Sequence, residues 1–167
     1  MHETPRLIMR EYTMNDLNFL MSMTSDPETM RYIGDGSILD EAQTKERLER
    51  YMSRYSAGEG LGLRLAVRKE DGVPVGHAGL IPQIIEGTPE TEVGYWISSD
   101  FRGQGYAAEA AIGWRDYGFN ELGKRRLVSI IKFENLASIA VARKNGMSYE
   151  KAVTFSGQQA ALYSIEK

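Results

Sequence analysis

Around residue 100 the sequence changes period across a glycine-rich turn, and this junction restricts the fold more than any other stretch. Thr91 to Ser98 is rich in aromatic and β-branched residues and reads as a strand. Gly105 to Phe119 then sets Ala107, Ala110, Ala111, Trp114 and Gly118 on one helical face. Between them lies Arg102-Gly103-Gln104-Gly105-Tyr106-Ala107. The first N–H groups of a helix lack intrahelical partners, and the helix dipole adds positive charge there. Gly103 and Gly105 keep side chains out of the way, so phosphate oxygens can approach the backbone. Strand, turn and helix together predict an anion site.

Two other glycine motifs compete for this reading. Gly103-x-Gly105-x-x-Ala108 satisfies the dinucleotide fingerprint, which needs an acidic residue about 20 positions further on. That place, in the next strand, holds Val128 and Ser129, and the first acid after them is Glu134. The chain remaining after the loop is also too short for a full dinucleotide fold. Gly118 to Arg125 resembles a phosphate-binding P-loop but lacks the Ser/Thr that holds Mg²⁺, and it follows a helix instead of a strand. A helix end with a solvated basic run is the better account.

Hydrophobic period sets the remaining expectations. Arg6 to Glu11 reads as a short strand. Thr13 caps a helix carrying Met14, Leu17, Leu20 and Met21, and Asp26-Pro27 is a cap followed by proline at a first helical position. From Asp40 to Ser56 an apolar stripe of Leu48, Tyr51, Met52 and Tyr55 runs beside a heavily charged face. Leu63, Leu65 and Val67 alternate with Arg64, Ala66 and Arg68 as a strand, and Glu70-Asp71-Gly72 supplies a hairpin turn. Val75 to Ile85 is a further strand, in which Pro82 predicts a bulge or an edge. Leu127 to Phe133 is a strand, Asn135 to Asn145 a helix closed by Asn145-Gly146, and Ser148–Phe155 and Ala160–Ile165 are strands. The order β-α-α-β-β-β-α-β-α-β-β predicts a mixed-sheet α/β (α+β) fold.

The 167 residues, with no repeat or linker, predict a single domain over 1–167. A net charge of −3 argues against a nucleic-acid partner and leans slightly toward cationic substrates such as amines. There is no cysteine, which removes disulfides, thiolate metal sites and a cysteine nucleophile. No His/Asp/Glu cluster has metal-ligand spacing, so no metal site is expected. The opening residues lack the flank and apolar run of a signal peptide, and no stretch approaches a membrane span. No membrane partner and a cytoplasmic location are the expectation.

The run from Glu92 through Gly94-Tyr95-Trp96-Ile97 to Ala107, with Asn135-Leu-Ala-Ser138 and the following Ala-Arg-Lys-Asn-Gly-Met, resembles the GNAT N-acetyltransferase superfamily. Arg102 to Ala107 matches its [QR]-x-x-G-x-[GA] loop. The openings Thr4-Pro-Arg-Leu-Ile-Met-Arg and Asp26-Pro-Glu-Thr-Met-Arg-Tyr-Ile are similar to the branch of Rim-type ribosomal-protein N-terminal acetyltransferases. The resemblance runs nearly end to end. It implies a mostly antiparallel sheet flanked by helices, a splayed central strand pair, and acetyl-CoA as cofactor. It further implies that Arg102, Gly103, Gln104, Gly105, Tyr106 and Ala107 hold the pyrophosphate. Backbone groups of Tyr95, Trp96 and Ile97 would meet the pantetheine arm, with an N–H near Ile97 aimed at the thioester carbonyl.

Several side chains have a plain reading beside the functional one. Asn135 is equally an N-cap and a cofactor contact. Ser138 is by composition an ordinary helical serine, but the resemblance places it toward the CoA sulfur. Many relatives carry a tyrosine acid seven residues after this asparagine, where Ala142 stands here, which leaves Ser138 as its substitute. Glu92 shares a strand face with Gly94 and Trp96, where relatives place a water-linked base. His77 is expected to be structural, Arg143 and Lys144 to form a solvated helix end, and the methionines from Met14 to Met30 to be core. The acceptor is expected to be a primary amine, a peptide or protein α-amine before a small amine. A catalytically silent CoA-binding domain stays open because of Ala142, and a monomer and a homodimer are equally compatible.

Overall fold

The computed structural model describes residues 2–167. Its strands are β1 (His2–Glu3), β2 (Leu7–Arg10), β3 (Gly62–Arg68), β4 (Pro74–Ile85), β5 (Thr88–Ile97), β6 (Arg126–Ile131), β7 (Ser148–Phe155) and β8 (Gln158–Glu166). Its helices are α1 (Leu17–Thr24), α2 (Pro27–Met30), α3 (Glu41–Ser53), α4 (Tyr106–Asn120) and α5 (Leu136–Lys144). The order departs from expectation by the added strand β1 and the one-turn helix α2. Two residues of β1, pairing His2 with Met9 and Glu3 with Ile8, are too few to show a period.

The strands form one mixed sheet in the order β1-β2-β3-β4-β5-β6-β8-β7. All neighbours are antiparallel except β5 and β6, joined by the α4 crossover. Pro82 pairs with Thr91 in unbroken β4–β5 register, while β3 stops opposite Leu80. The proline is therefore at a local edge, not a bulge. The bulge lies instead between Ala66 and Val67.

Local chemistry sets the helix starts. The Thr13 and Asp16 side chains and backbones cap each other reciprocally, so the chain enters α1 through a 3₁₀ turn instead of directly. Asp26 caps α2 ahead of Pro27, and Asp40 with Gln43 forms a second capping box at α3. On one sheet face α4 lays Tyr106, Ala110, Ala111 and Trp114 over Leu80, Val93 and Ile97. On the other, α1 and α3 pack Leu20, Met23 and Leu48 against Leu65 and Trp96. Met23 and Met30 are core, but Met14 and Met21 are not fully covered.

His77 on β4 is completely buried, and its Nδ1 lies 2.6 Å from the Tyr12 hydroxyl. Its ring also packs on Trp96 at 4.5 Å. Burial pushes its pKa down to about 3, with Arg47 adding to the effect, so it is neutral in the folded protein. An unfolded chain binds a proton at this residue from about pH 6.5 downward, and the folded one does not. Stability from His77 is thus present above that pH and lost as pH falls toward 3. Between pH 7.5 and 5.0 urea unfolding should show a loss of about 2 kcal/mol that a His77→Asn variant lacks. Parallel pH slopes for the two proteins would remove this role.

Candidate functional site

The parallel pair β5–β6 touches at a single register position, Glu92 with Val128, and the strands then diverge. Side chains close the ladder where it opens. The Ser129 hydroxyl donates to the Val93 carbonyl at 2.9 Å, and the Ile130 N–H donates to Glu92 Oε2 at 3.3 Å. Beyond this point β5 has a free edge. The Ser98 N–H is bonded to Val75 on β4, and the Val93 carbonyl faces β6. Backbone groups alternate sides along a strand, so those of Tyr95 and Ile97 face the opening. The peptide groups of Trp96 lie in the ladder to β4, opposite His77, although the residue is among those lining both cavities of the opening. That corrects the expectation of a Trp96 backbone contact.

Two connected cavities occupy the split. One, of about 440 Å³, runs from Arg102, Gly103 and Gly105–Ala108 past Ala137, Ala140 and Val141 to Ile97. The other, of about 600 Å³, is lined by Glu92, Gln83, Ser129 and the α3 side chains Arg47, Arg50, Tyr51 and Arg54. Tyr32, Ile33, Tyr95, Trp96, Asn135 and Ser138 line both. Of the residues assigned from the sequence, only Gln104 lies off the walls. Its carbonyl instead accepts from Arg6 Nη1 at 2.9 Å.

The narrow cavity fits an extended, phosphate-bearing arm. Gly103 and Gly105 sit at φ +76° and +82°, and a Cβ on Gly103 would meet nothing within 4 Å. Gly105 caps α4 without any side-chain hydrogen bond, leaving the first amides of the helix to a ligand. Tyr106 itself is buried, with the Arg6 guanidinium 4.3 Å from its ring centroid. Arg6 fixes the loop from the bend just before β2: its guanidinium and backbone N–H both bond Glu109 on α4, at 2.7 and 2.8 Å. Sequence reasoning missed this brace, because residues so far apart in the chain leave no periodic signal. Lys144 is exposed, as a solvated helix end should be, and it also lines the mouth of this cavity.

At the junction the groups come from opposite faces of β5. Glu92 is half-buried, and burial pushes its carboxyl up to about 7 against the hydrogen bonds from Gln83 and Ile130. The Tyr95 hydroxyl is 3.0 Å from both the carbonyl and the hydroxyl of Ser138, and burial raises it to about 12. Asn135 accepts from the Ser138 N–H at 3.2 Å as the α5 N-cap, while also lining the cleft. Ala142 is buried in the core beside α4 and lines neither cavity. A carboxyl that titrates near pH 7 and two hydroxyls lining one cavity, which adjoins the glycine-lined start of α4, suit proton transfer during acyl transfer.

Residues 6–148 match the acetyltransferase (GNAT) domain family. The chain belongs to the GNAT acetyltransferases. YkkB of Bacillus subtilis is 37% identical over 83% of this chain and 79% of its own. An acetyltransferase of Agrobacterium tumefaciens shares the fold at a TM-score of 0.82 and 25% identity, covering 99% of this chain and 93% of that one. RimL, the ribosomal L7/L12 α-N-protein acetyltransferase solved with CoA, shares it at 0.79 and 16% identity, over 98% and 95%. The cofactor of this GNAT enzyme is acetyl-CoA, and its reaction is N-acetylation. Among the described residues no helix is long and apolar enough to cross a membrane.

If the loop glycines admit phosphate, Gly105→Ala should weaken acetyl-CoA binding by roughly tenfold or more in calorimetry. Gly123→Ala, at φ +65° in open space away from the cleft, is the control for backbone strain. Equal affinity in both variants would mean that the loop does not carry the pyrophosphate.

Proposed function

We propose that residues 1–167 act as one catalytic domain that acetylates a primary amine by direct attack, with acetyl-CoA and acceptor bound together. A peptide or protein α-amine is favoured over a lysine side chain. One observation carries this reading: Glu92 and the Tyr95–Ser138 pair, from opposite faces of β5, line the same cleft. The bound thioester supplies the acetyl group and a sulfur leaving group. Gly103 and the amides of Gly105, Tyr106 and Ala107 hold the pyrophosphate, with Arg102 beside them. The edge groups of Tyr95 and Ile97 hold the arm, and the Ile97 N–H polarises the carbonyl. Asn135 keeps Ser138 in place at the first turn of α5.

Glu92, once ionised, accepts the proton of the incoming ammonium. Taking it from an α-ammonium of pKa about 8 is uphill by about 1.4 kcal/mol, and from a lysine near 10.4 by about 4.6 kcal/mol. This gap favours the α-amine. Tyr95 keeps its proton over the working range and can donate to Ser138 Oγ. The serine proton is then free to point at the departing sulfur, which makes Ser138 the acid and Tyr95 its source.

The pH dependence follows from the raised carboxyl. A base works only when ionised, so kcat/KM should fall about tenfold per unit below pH 7. Glu92→Gln should lower it by about 10²–10⁴-fold near pH 7.5 and abolish that inflection. An inflection that persists unchanged in the variant would place the base elsewhere. Ser138→Ala and Tyr95→Phe should each reduce kcat about 10²-fold while leaving acetyl-CoA binding nearly intact. Since the chain has no cysteine, initial-rate lines should intersect. Parallel, ping-pong lines would contradict direct attack.

A further inference from the structure

Resting on the acetyl-transfer reading, we propose that the acceptor is an anionic amine. Its amino group enters toward Glu92 while carboxylate or phosphate groups on the same molecule are held by Arg47, Arg50 and Arg54. These arginines fall at i, i+3 and i+7 of the α3 run and therefore on one helical face. All three line the 600 Å³ cavity that also contains Glu92. None lines the cavity of the glycine loop, so the cofactor's phosphates do not account for them.

Their charge is unspent. None of the three forms an ion pair among the described residues, and Glu46 and Glu49 of the same helix do not line the cavity. Glu92 is the only carboxylate on its walls among the described residues. Three guanidinium groups against one carboxyl make this cavity positive in a chain whose net charge is −3. The slight lean toward cationic substrates read from overall charge is thus reversed where the acceptor would bind.

A helix C-terminus attracts cations, and that accounts for Arg50 in the last turn and Arg54 at the C-cap. It does not account for Arg47, which lies a turn earlier with its guanidinium 5.8 Å from the Trp96 ring centroid. A polyamine or aminoglycoside would have to seat its remaining ammonium groups among these guanidiniums, against like charge. Carboxylate and phosphate match the guanidinium fork.

The test uses the whole protein loaded with CoA for calorimetry, and with acetyl-CoA for thiol release. The acceptors are tetrapeptides with a free α-amine and Glu, Gln or Lys at the three following positions, together with spermidine. β-Alanine and O-phosphoethanolamine, each against ethanolamine, separate carboxylate from phosphate. The expected result is that the Glu peptide binds and reacts roughly tenfold or more better than the Gln peptide, with the Lys peptide and spermidine last. Raising salt should narrow the gap. In an Arg50→Glu/Arg54→Glu variant, both positions being exposed, the order should reverse while acetyl-CoA affinity holds. A single Arg47→Gln change should shrink the preference without touching the helix end. Equal or better binding and turnover of the Gln or Lys peptides or spermidine would overturn the proposal, as would a preference that survives the double variant. Selective binding of the anionic amines with no thiol release from any acceptor would sink the transfer reading and leave this one standing.

Discussion

Two parallel strands running side by side ordinarily continue their hydrogen-bond ladder, because an unpaired backbone group away from water is costly. Here β5 and β6 share one register pair and part, and the rest of the molecule is arranged around that opening. The split is stable because side chains take over where backbone pairing stops. Ser129 satisfies the Val93 carbonyl, and Glu92 satisfies the Ile130 N–H. The strands are kept apart further along by what each is bound to. β4 holds β5 through ten register positions, and β8 holds β6 through six. The free edge of β5 can then accept a ligand as though it were the missing strand.

This arrangement gives Glu92 two tasks that pull against each other. As a pin it accepts hydrogen bonds from Ile130 and Gln83, which favour the ionised carboxylate. As a half-buried group it resists ionisation, and that effect is the larger, bringing the carboxyl to about 7. In the proposed mechanism a carboxyl in this range is ionised in a useful fraction of molecules and still strong enough to draw a proton from an α-ammonium. Charge elsewhere is distributed to match. Arg6 and Glu109 neutralise each other while bracing the glycine loop, whereas the α3 arginines make no ion pair along the cavity that holds Glu92.

The parts of this design that depend on neighbouring residues were legible in the sequence. The glycine loop, the strand before it and the helix after it lie within one short stretch, so period and turn chemistry suffice. Glu92, Tyr95 and Ser138 were selected, but the contact between Tyr95 and Ser138 was not, because it joins residues 43 apart. Ala142 looked like a lost acid when counted from Asn135. In the fold that position faces the core, so its small side chain vacates nothing in the cleft. The charged face of α3 was visible as a pattern, but only the tertiary structure aims Arg47, Arg50 and Arg54 into a cavity. Net charge concealed them, because a sum over the chain carries no position. Strand β1, the Arg6 brace and the 3₁₀ entry to α1 likewise depend on contacts or caps that period alone does not reveal.

The claim that the opened edge of β5 is the cofactor's seat is tested most directly by amide hydrogen exchange, resolved residue by residue, with and without acetyl-CoA. Exchange reports whether a given N–H has gained a hydrogen-bond partner or lost access to water. The account predicts that saturating acetyl-CoA slows exchange at Tyr95 and Ile97 and at the first amides of α4. Trp96 and Ser98, already bonded to β4, should change little. Protection appearing elsewhere on the molecule, with the Tyr95 and Ile97 amides unaffected, would contradict it.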